Sequence, residues 1–245
     1  RGRFFPNGSR ANFMKDNLYF SFVLANTDNG YILSTFKIGT IMIQSNATDF
    51  LQFCVFDSSK NKIIPVNEIA KRPPKGNPND VAQILKNEHI TCLVRNPSDR
   101  LFSGLFQELL TNNYGLKDLF ISFSHSESFR EKVCEYLIHS IPAYWERLIL
   151  TAHCDSYHYF LHTFLDHGYV DNFTIKHIDD LKFEIDEPVY RHSNKKFLFP
   201  MYDAIKYLTK NSSEFSKKFT KFIDKEWKYY QYLIDDQKKK DTENG

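Results

Sequence analysis

Long apolar runs, cysteines and a strong charge of either sign are all scarce in this 245-residue chain. No stretch approaches the roughly 20 apolar residues of a membrane-spanning helix, so the sequence predicts no membrane span. The four cysteines, at positions 54, 92, 134 and 154, form no Cys-x-x-Cys pair, which favours free core thiols over a disulfide scaffold. A net charge of +2 argues against nucleic-acid binding by bulk electrostatics.

Two common catalytic signatures are also missing. The P-loop of ATP-binding enzymes, Gly-x-x-x-x-Gly-Lys-(Ser/Thr), places Lys after its second Gly, whereas Lys37 precedes the only glycine of its loop, Gly39. This order disfavours a kinase or an NTPase. His158 and His162 have the i, i+4 spacing of a metal site, but Tyr159 stands where His-Glu-x-x-His needs its Glu. Core or surface histidines are the favoured interpretation.

Apolar and aromatic residues are plentiful by contrast. They make up 42% and 16% of the chain, with 23 Phe and 14 Tyr, which is enough for a substantial core. We therefore expect one folded domain over residues 1–237 and a disordered tail over 238–245. Because no signal-peptide pattern opens the chain, we expect a cytoplasmic location.

Apolar periodicity and turn residues predict alternating strands and helices. Strands are predicted at 18–24, 31–35, 50–56, 63–66, 90–94 and 170–176. Helices are predicted from Thr40, from Pro78 to Glu88, from Pro97 to Asn112, from the capping box 124–127 to His139, from Ser156 to His167 and from Ser212 to Ile234. Asp28-Asn29-Gly30 predicts a hairpin turn, and 191–196 a basic loop. The alternation indicates an α/β fold with helices flanking a parallel sheet.

The segment Phe36-Lys37-Ile38-Gly39-Thr40-Ile41 joins a predicted buried strand to a predicted helix. Such junctions are where α/β proteins bind phosphates. Gly39 lets the backbone approach an anion, and the N–H groups of Gly39, Thr40 and Ile41 can complete an anion nest. Lys37 adds a cation. An ordinary strand-to-helix turn with an exposed Lys is the alternative.

A second segment of the same kind is Arg95-Asn96-Pro97-Ser98-Asp99-Arg100-Leu101-Phe102-Ser103. The predicted strand ends at Arg95, and Pro97 stands at the first helical position, which suits its missing N–H. The Arg95 guanidinium can hold a phosphate with two parallel hydrogen bonds, and the helix returns Ser103 to the same side. Together the two segments predict a ligand with two separated phosphate groups.

These segments resemble the cofactor signatures of the sulfotransferases that use 3'-phosphoadenosine 5'-phosphosulfate (PAPS). In that family a Pro-Lys-x-Gly-Thr-type loop holds the 5'-phosphosulfate, and an Arg-Asp-Pro-x-x-Arg-x-x-Ser segment holds the 3'-phosphate. Here Phe36 replaces the Pro and Asn96 replaces the Asp. The resemblance implies a P-loop-like parallel sheet and no metal. The PAPS ligands that it implies are Lys37, Ile38, Gly39, Thr40, Ile41, Arg95 and Ser103.

The resemblance also implies catalytic roles for Lys37 and His153. Lys37 would contact the bridging oxygen, where negative charge grows as the bond to sulfur breaks. Carbohydrate sulfotransferases carry a His in a loop before a helix and a strand that ends near an acid-Leu pair, and the run from His153 to Asp180-Leu181 is similar. His153 is therefore the candidate general base. A His that caps or packs the following helix is the alternative.

Further residues stay open as candidates. His89 precedes its strand, whereas open parallel sheets bind ligands beyond the opposite strand ends, which argues against His89 as the base. Asp57 and Glu68 lie between the two cofactor segments, where many relatives place their base. Arg100 either contacts the same phosphate as Arg95 or pairs with an acidic neighbour such as Asp99, so its predicted role has two alternatives.

The expected activity is transfer of a sulfuryl group from PAPS to an acceptor hydroxyl, on a carbohydrate if the resemblance holds. The basic loop 191–196 is a candidate to close over the nucleotide or to bind an acidic acceptor, with a solvated loop as the alternative. Because Phe36 and Asn96 depart from the pattern, a non-catalytic nucleotide- or glycan-binding protein is the alternative function. Many animal relatives are anchored Golgi enzymes, so a Golgi-lumen domain is the alternative location.

Overall fold

The structure is a computed structural model that describes residues 19–66, 74–111, 116, 119, 128–181 and 189–243, with the backbone alone for 189–198. The strands are β1 (Tyr19–Thr27), β2 (Gly30–Ser34), β3 (Leu51–Asp57), β4 (Lys62–Val66), β5 (His89–Val94) and β6 (Asn172–His177). The helices are α1 (Thr40–Asn46), α2 (Val81–Asn87), α3 (Pro97–Thr111), α4 (Phe129–Leu148), α5 (Tyr157–Asp166), α6 (Val189–Asn211) and α7 (Ser213–Glu243). None of these helices combines the length and the apolar composition that crossing a bilayer requires.

The six strands form one sheet in the order β4-β3-β1-β2-β5-β6. β2, β5 and β6 run parallel, with Leu33 beside Cys92 and Val94 beside His177. β1, β3 and β4 complete the sheet through three antiparallel pairings, out of five pairings in all. The predicted α/β class is confirmed. The predicted parallel sheet is wrong for the half of the sheet that contains β1, β3 and β4.

Connection length explains the two halves of the sheet. Only Asp28 and Asn29 separate β1 from β2, and residues 58–61 join β3 to β4. Connections this short can form only antiparallel hairpins, and the predicted hairpin turn is confirmed. Long crossovers that contain helices separate β2 from β5 and β5 from β6, which allows these strands to run parallel.

All three parallel strands end at the same edge of the sheet. β2 leads through a turn into α1, β5 leads directly into α3, and β6 leads into the short 3-10 helix Ile178–Asp180. We call this the polar edge and define it by residues 35–41, 95–99 and 177–180, together with His153, which packs on Phe36, and its hydrogen-bond partner Glu108. Both segments predicted to bind phosphate begin there.

Apolar side chains form two clusters, one around the sheet and one among the helices. The sheet cluster joins strands β1 to β6 to α1, α2 and α5, through side chains such as Leu33 and Phe164. The helical cluster joins α3, α4, α6 and α7, through side chains such as Leu105 and Trp145. The buried apolar side chains of α3 belong to the helical cluster, and the polar side chain of its Gln107 contacts Lys37, which follows β2.

Two helices differ from the prediction in the middle of the chain. α4 continues past His139 because Ile141 and Trp145 extend its buried stripe. α6 includes the residues 191–196, which were predicted as a basic loop. The capping box predicted at 124–127 lies outside the described residues.

The last helix is also longer than predicted. α7 continues past Ile234 into the residues predicted as a tail. The Oε1 atom of Gln237 accepts a hydrogen bond from the backbone N–H of Ile175 at 2.7 Å, and the Lys240 ammonium lies 3.6 Å from the centre of the Phe173 ring. Both partners belong to β6, the edge strand, so the additional turns of α7 have a surface on which to pack.

Candidate functional site

The turn between β2 and α1 holds Lys37 in a left-handed conformation. Lys37 and Gly39 both have φ of 67°. The carbonyl oxygen of Thr35 accepts hydrogen bonds from the Thr40 hydroxyl at 2.6 Å and from the Ile38 N–H at 3.1 Å. A left-handed residue other than Gly costs about 1–2 kcal/mol. Such strain clusters at functional sites, which is a reason to look for function at Lys37.

Gly39 allows this turn to pack closely against the end of β6. A Cβ atom at position 39 would lie 2.5 Å from the Cδ1 atom of Ile178, so a larger residue would displace one of the two. Gly39 is also the cap residue of α1 and provides no side-chain acceptor for the first N–H groups of the helix, at Thr40 and Ile41. Because α1 has only seven residues, its helix dipole adds little positive charge at the turn. The positive charge there comes chiefly from the Lys37 ammonium.

Arg95 brings the second predicted segment against the first. Its Nη1 atom donates a hydrogen bond to the carbonyl oxygen of Lys37 at 2.8 Å, across 58 positions of the sequence. This contact is available because β2 and β5 are neighbours and run parallel, so Lys37 and Arg95 follow adjacent strand ends. The structure therefore brings together the two cations that the sequence placed in separate motifs.

Asn96 begins α3 at the position where the family pattern has Asp. Its Oδ1 atom accepts hydrogen bonds from the N–H groups of Ser98 and Asp99 at 3.0 and 3.2 Å, which is the role of a helix-capping side chain. The replacement of Asp by Asn therefore keeps the helix cap and removes one negative charge next to Arg95.

Lys37 and Arg95 are both partly buried, and their positive charges repel each other. Burial lowers the pKa of Lys37 to about 8, and the charge of Arg95 acts in the same direction, while Glu108 opposes it. Burial also lowers the pKa of the Arg95 guanidinium, against the attraction of Asp99 and Asp179. An anion bound between Lys37 and Arg95 would offset part of the cost of holding both charges there.

One face of α3 contacts the Lys37 side chain. The Lys37 ammonium donates a hydrogen bond to Oε1 of Gln107 at 3.2 Å. Ser103 lies one turn before Gln107, so the two side chains share this face. Ser103 is buried, and no hydrogen bond joins it to Arg95 among the described residues. The hydrogen-bond partner of the Lys37 ammonium is thus a neutral amide, and Lys37 forms no ion pair within 4.0 Å among the described residues.

The neighbouring face of α3 contacts the loop between α4 and α5. The guanidinium of Arg100 donates to the backbone carbonyl and to the carboxylate of Asp155, both at 2.6 Å. Only 2% of the Arg100 surface is exposed. Arg100 therefore pairs with Asp155 rather than with Asp99, and its charge is used inside the protein instead of facing a phosphate.

His153 lies in the same loop and contacts the Lys37 turn. Its Nδ1 atom is hydrogen-bonded to Oε1 of Glu108, and its ring centre lies 4.8 Å from that of Phe36, edge to face. The backbone carbonyl of His153 packs onto Gly104, where a Cβ atom would lie 2.1 Å from that oxygen. The structure therefore places His153 against Phe36, the residue that immediately precedes Lys37.

Glu108 is the site residue that sequence reasoning missed. Its side chain is 10% exposed and lies on a helix whose other buried residues are mostly apolar. The available signal was spacing, because Arg100, Gly104 and Glu108 recur every four residues and so share one helix face. A polar stripe that includes a Gly predicts close contact with another polar segment, here the loop that carries His153.

The other predicted bases that the structure describes have different roles. Asp57 accepts a hydrogen bond from the N–H of Ser59 at 3.0 Å and pairs with Lys60 at 3.5 Å, so it holds the turn between β3 and β4. His89 begins β5 and lies at the opposite edge of the sheet, as the topological argument predicted. Glu68 lies outside the described residues.

His158 and His162 bind different partners. The Nδ1 atom of His158, which is fully buried, lies 3.0 Å from Oε2 of Glu226, and His162 pairs with Asp166 at 2.9 Å. In the part of the chain that the structure describes, no three His, Cys, Asp or Glu side chains cluster as metal ligands. These histidines therefore support helix packing.

A cleft of about 660 Å³ lies between α4 and α6. Its lining includes Cys134, His139 and Tyr207, together with Arg130 and Asp203, which form an ion pair at 2.6 Å. No residue of the polar edge lines this cleft. The chemistry predicted from the sequence and the cleft are therefore separate features, and the polar edge is the candidate functional site.

The polar edge combines two partly buried cations with a hydrogen-bonded His and carboxylate. Such a set can hold an anion and can remove a proton from a neighbouring hydroxyl. Comparisons of the chain with protein-family models, with curated proteins and with solved structures each found no match.

Proposed function

We propose that this chain is a PAPS-dependent sulfotransferase that acts on the hydroxyl of a carbohydrate. One observation carries the proposal, namely that Arg95 hydrogen-bonds the carbonyl oxygen of Lys37. The two segments that resemble the PAPS signatures thus lie side by side at the ends of adjacent parallel strands. This arrangement suits a ligand with two anionic groups.

Each end of the ligand has its own set of donors in this proposal. The Lys37 ammonium and the N–H groups of residues 39–41 bind the 5'-phosphosulfate. Arg95 keeps guanidinium donors beyond the Nη1 atom that holds the turn, and these bind the 3'-phosphate together with Ser103. The hydrogen bond from Arg95 to the turn therefore couples the two halves of the site mechanically.

The reaction needs a base for the acceptor and a cation for the leaving group. PAPS supplies a sulfuryl group that is activated by its bond to phosphate. His153 takes the proton of the acceptor hydroxyl as the acceptor oxygen bonds to sulfur. Lys37 stabilises the negative charge on the phosphate oxygen that keeps the electron pair of the broken S–O bond. The contact of His153 with Phe36, the residue before Lys37, is the observation that supports one reacting centre for both residues.

An exposed aromatic side chain at the polar edge supports a carbohydrate acceptor. Trp227 of α7 is 38% exposed, and its Nε1 atom lies 3.4 Å from the hydroxyl of Ser98 at the start of α3. Aromatic faces with a polar rim suit the apolar face and the hydroxyl groups of a sugar ring. Trp227 therefore offers a platform for a sugar beside the proposed cofactor site.

Calorimetric titration with PAP, the desulfated product, tests the binding half of the proposal. The wild-type protein should bind PAP, and its affinity should fall as the pH rises through about 8, because Lys37 loses its proton there. The Lys37→Ala variant should bind PAP more weakly and without this pH dependence. Lys86→Ala, which removes a half-exposed Lys paired with Asp171, is the matched control. Absence of PAP binding to the wild type would remove the proposal.

Turnover of PAPS with a panel of glycan acceptors tests the catalytic half. Lys37→Ala should lower turnover more than it lowers PAP affinity, because the strongest contact of Lys37 develops only in the transition state. Equal losses of turnover and of PAP affinity would mean that Lys37 binds the ground state and the transition state equally well. PAP binding without turnover of any acceptor would favour the non-catalytic binding protein.

A further inference from the structure

Glu108 joins α3 to His153 at the polar edge. Its Oε1 atom is hydrogen-bonded to Nδ1 of His153, and 10% of the Glu108 side chain is exposed, compared with 28% of His153. Solvent therefore screens the carboxylate weakly, and the interaction is stronger than that of an exposed pair. The ring of His153 keeps its other nitrogen, Nε2, for a further contact.

Contacts along one face of α3 fix the loop that carries His153. One turn before Glu108, the backbone carbonyl of His153 packs onto Gly104. Two turns before Glu108, Arg100 holds Asp155 with two hydrogen bonds at 2.6 Å. These contacts restrain the backbone of the loop that carries His153. The hydrogen bond to Glu108 restrains the rotation of the imidazole ring.

The bond to Glu108 also selects a tautomer of the ring. A carboxylate accepts hydrogen bonds, so the Nδ1 atom of a neutral His153 must carry the proton and donate it. The lone pair then lies on Nε2, which has no hydrogen-bond partner among the residues that the structure describes. When Nε2 takes a proton, the ring becomes a cation, and the Glu108 carboxylate stabilises that cation, as the acid of a Ser-His-Asp triad does.

We propose that Glu108 is the positioning residue that makes Nε2 of His153 the proton acceptor in sulfuryl transfer. This inference rests on the proposed function. The proton of the acceptor hydroxyl passes to Nε2 as the acceptor oxygen bonds to sulfur. The S–O bond to the phosphate breaks at the same time, and its electron pair stays on the phosphate oxygen near Lys37. Glu108 itself touches neither reactant.

His177, the other histidine of the polar edge, has a weaker version of this support. Its Nδ1 atom lies 3.3 Å from the Oδ2 atom of Asp179 and also 3.3 Å from the backbone nitrogen of Asp179, so a carboxylate is not its sole partner. The Asp179 carboxylate is 78% exposed and is therefore screened. In the part of the chain that the structure describes, Lys37 and Cys154 also lie close enough to feel the Glu108 charge.

Nitrogen-15 NMR of the histidine rings tests the tautomer directly. The neutral His153 ring of the wild type should carry its proton on Nδ1. Glu108→Gln should weaken this preference, because an amide can donate as well as accept. Glu135→Gln, which removes the same charge from an exposed position on α4, should change nothing.

Transfer rates test the consequence for catalysis. Glu108→Gln should lower the rate roughly tenfold to a hundredfold, less than loss of the base itself, when both proteins are assayed well below pH 8, where Lys37 keeps its proton. The acid limb of the pH–rate profile should move to lower pH, because the imidazolium loses the carboxylate that stabilised it. A role limited to packing would not move this profile.

Two results would overturn the inference, and both differ from a failure of the proposed function. The first is a neutral wild-type His153 protonated on Nε2. The second is a folded Glu108→Gln variant with an unchanged tautomer and an unchanged pH profile. If Glu108→Gln does not fold, the NMR measurement of the His153 tautomer in the wild type decides the inference by itself. The NMR measurement needs no PAPS, whereas failure of the proposed function would appear as absent PAP binding.

Discussion

Two sets of charged side chains lie close together around α3, and they differ in how their charges are paired. At the polar edge, Lys37 contacts the neutral amide of Gln107, and Arg95 contacts a backbone carbonyl. On the adjoining face of α3, Arg100 and Asp155 form an ion pair whose side chains are 2% and 9% exposed. The first set is partly exposed and forms no close ion pair among the described residues, whereas the second set is buried and paired.

The buried set continues with His158 and Glu226, which join α5 to α7. Burial lowers the pKa of His158, and the hydrogen bond that its ring makes to the Glu226 carboxylate opposes this shift. The Nε2 atom of His158 and the Oε1 atom of Glu226 are buried and have no hydrogen-bond partner among the described residues. Removing both groups of such a pair from water costs free energy of folding. Substituting one partner destabilises the protein more, because the other stays buried without its partner.

The difference separates the charges that are paired inside the protein from those that the proposed function assigns to a ligand. A charge compensated inside the protein stabilises one arrangement of the chain, whereas a partly buried cation held by neutral groups keeps its attraction for an outside anion. On this criterion Arg100 belongs to the fold, and Lys37 and Arg95 belong to the site. Substitutions should separate the two sets by assay, through transfer and PAP binding for one and free energy of unfolding for the other.

The largest effect should come from the site. His153→Ala should lower the transfer rate by about 10²–10⁴, the usual contribution of a general base, and the rate should lose its dependence on an ionisation in the imidazole range. PAP affinity should stay unchanged. His89→Ala, at the opposite edge of the sheet, is the control. A near-normal rate for His153→Ala would move the base to another acid or histidine, such as Asp57, Glu68 or His177.

The next effect concerns the buried set and should appear in stability. Asp155→Ala should lower the free energy of unfolding by about 3–5 kcal/mol, because the Arg100 charge remains buried without its partner. Asp171→Ala is the matched control, since the pair of Lys86 and Asp171 has side chains 47% and 58% exposed and should contribute at most about 1 kcal/mol. Urea denaturation measures both values, and equal losses would contradict the distinction.

A smaller effect should separate the side chain of Lys37 from its backbone conformation. Lys37→Gly should be more stable than Lys37→Ala by about 1 kcal/mol, because Gly adopts the left-handed conformation without strain. Both variants should lose transfer activity. The control is the corresponding pair of variants at Asn61, whose φ is 47°. Asn61→Gly should be more stable than Asn61→Ala by a similar amount, and both should bind PAP normally. A Lys37→Ala variant as stable as Lys37→Gly would argue against strain in this turn.

Much of the fold follows from local sequence pattern. The junctions after β2 and β5 were predictable because each apolar run ends at a cation and is followed by a turn or cap residue, Gly39 in one case and Asn96 with Pro97 in the other. The direction and order of the strands depend on long-range pairing instead. Nothing local to β1 shows that it lies between β2 and β3, and the parallel sheet was wrongly predicted there.

The candidate site could be proposed from the sequence where it consists of consecutive residues. The segments around Lys37 and Arg95 each contain a cation beside a turn or helix start, which the sequence shows directly, but the contact between them is a tertiary feature. Glu108 and His153 are 45 positions apart, and Arg100 and Asp155 are 55 apart. Such pairs leave only an indirect trace in the sequence, in this case the four-residue spacing along α3.

Calorimetric titration of PAP into the wild type and into Arg95→Ala tests the polar edge as a phosphate site most directly. Arg130→Ala, which removes an exposed Arg paired with Asp203, is the matched control. The wild type and the control should bind PAP alike, and Arg95→Ala should lose about 1.5–3 kcal/mol of binding free energy, the scale of a hydrogen bond to a charged group. A folded Arg95→Ala variant that binds PAP as tightly as the wild type would contradict the assignment.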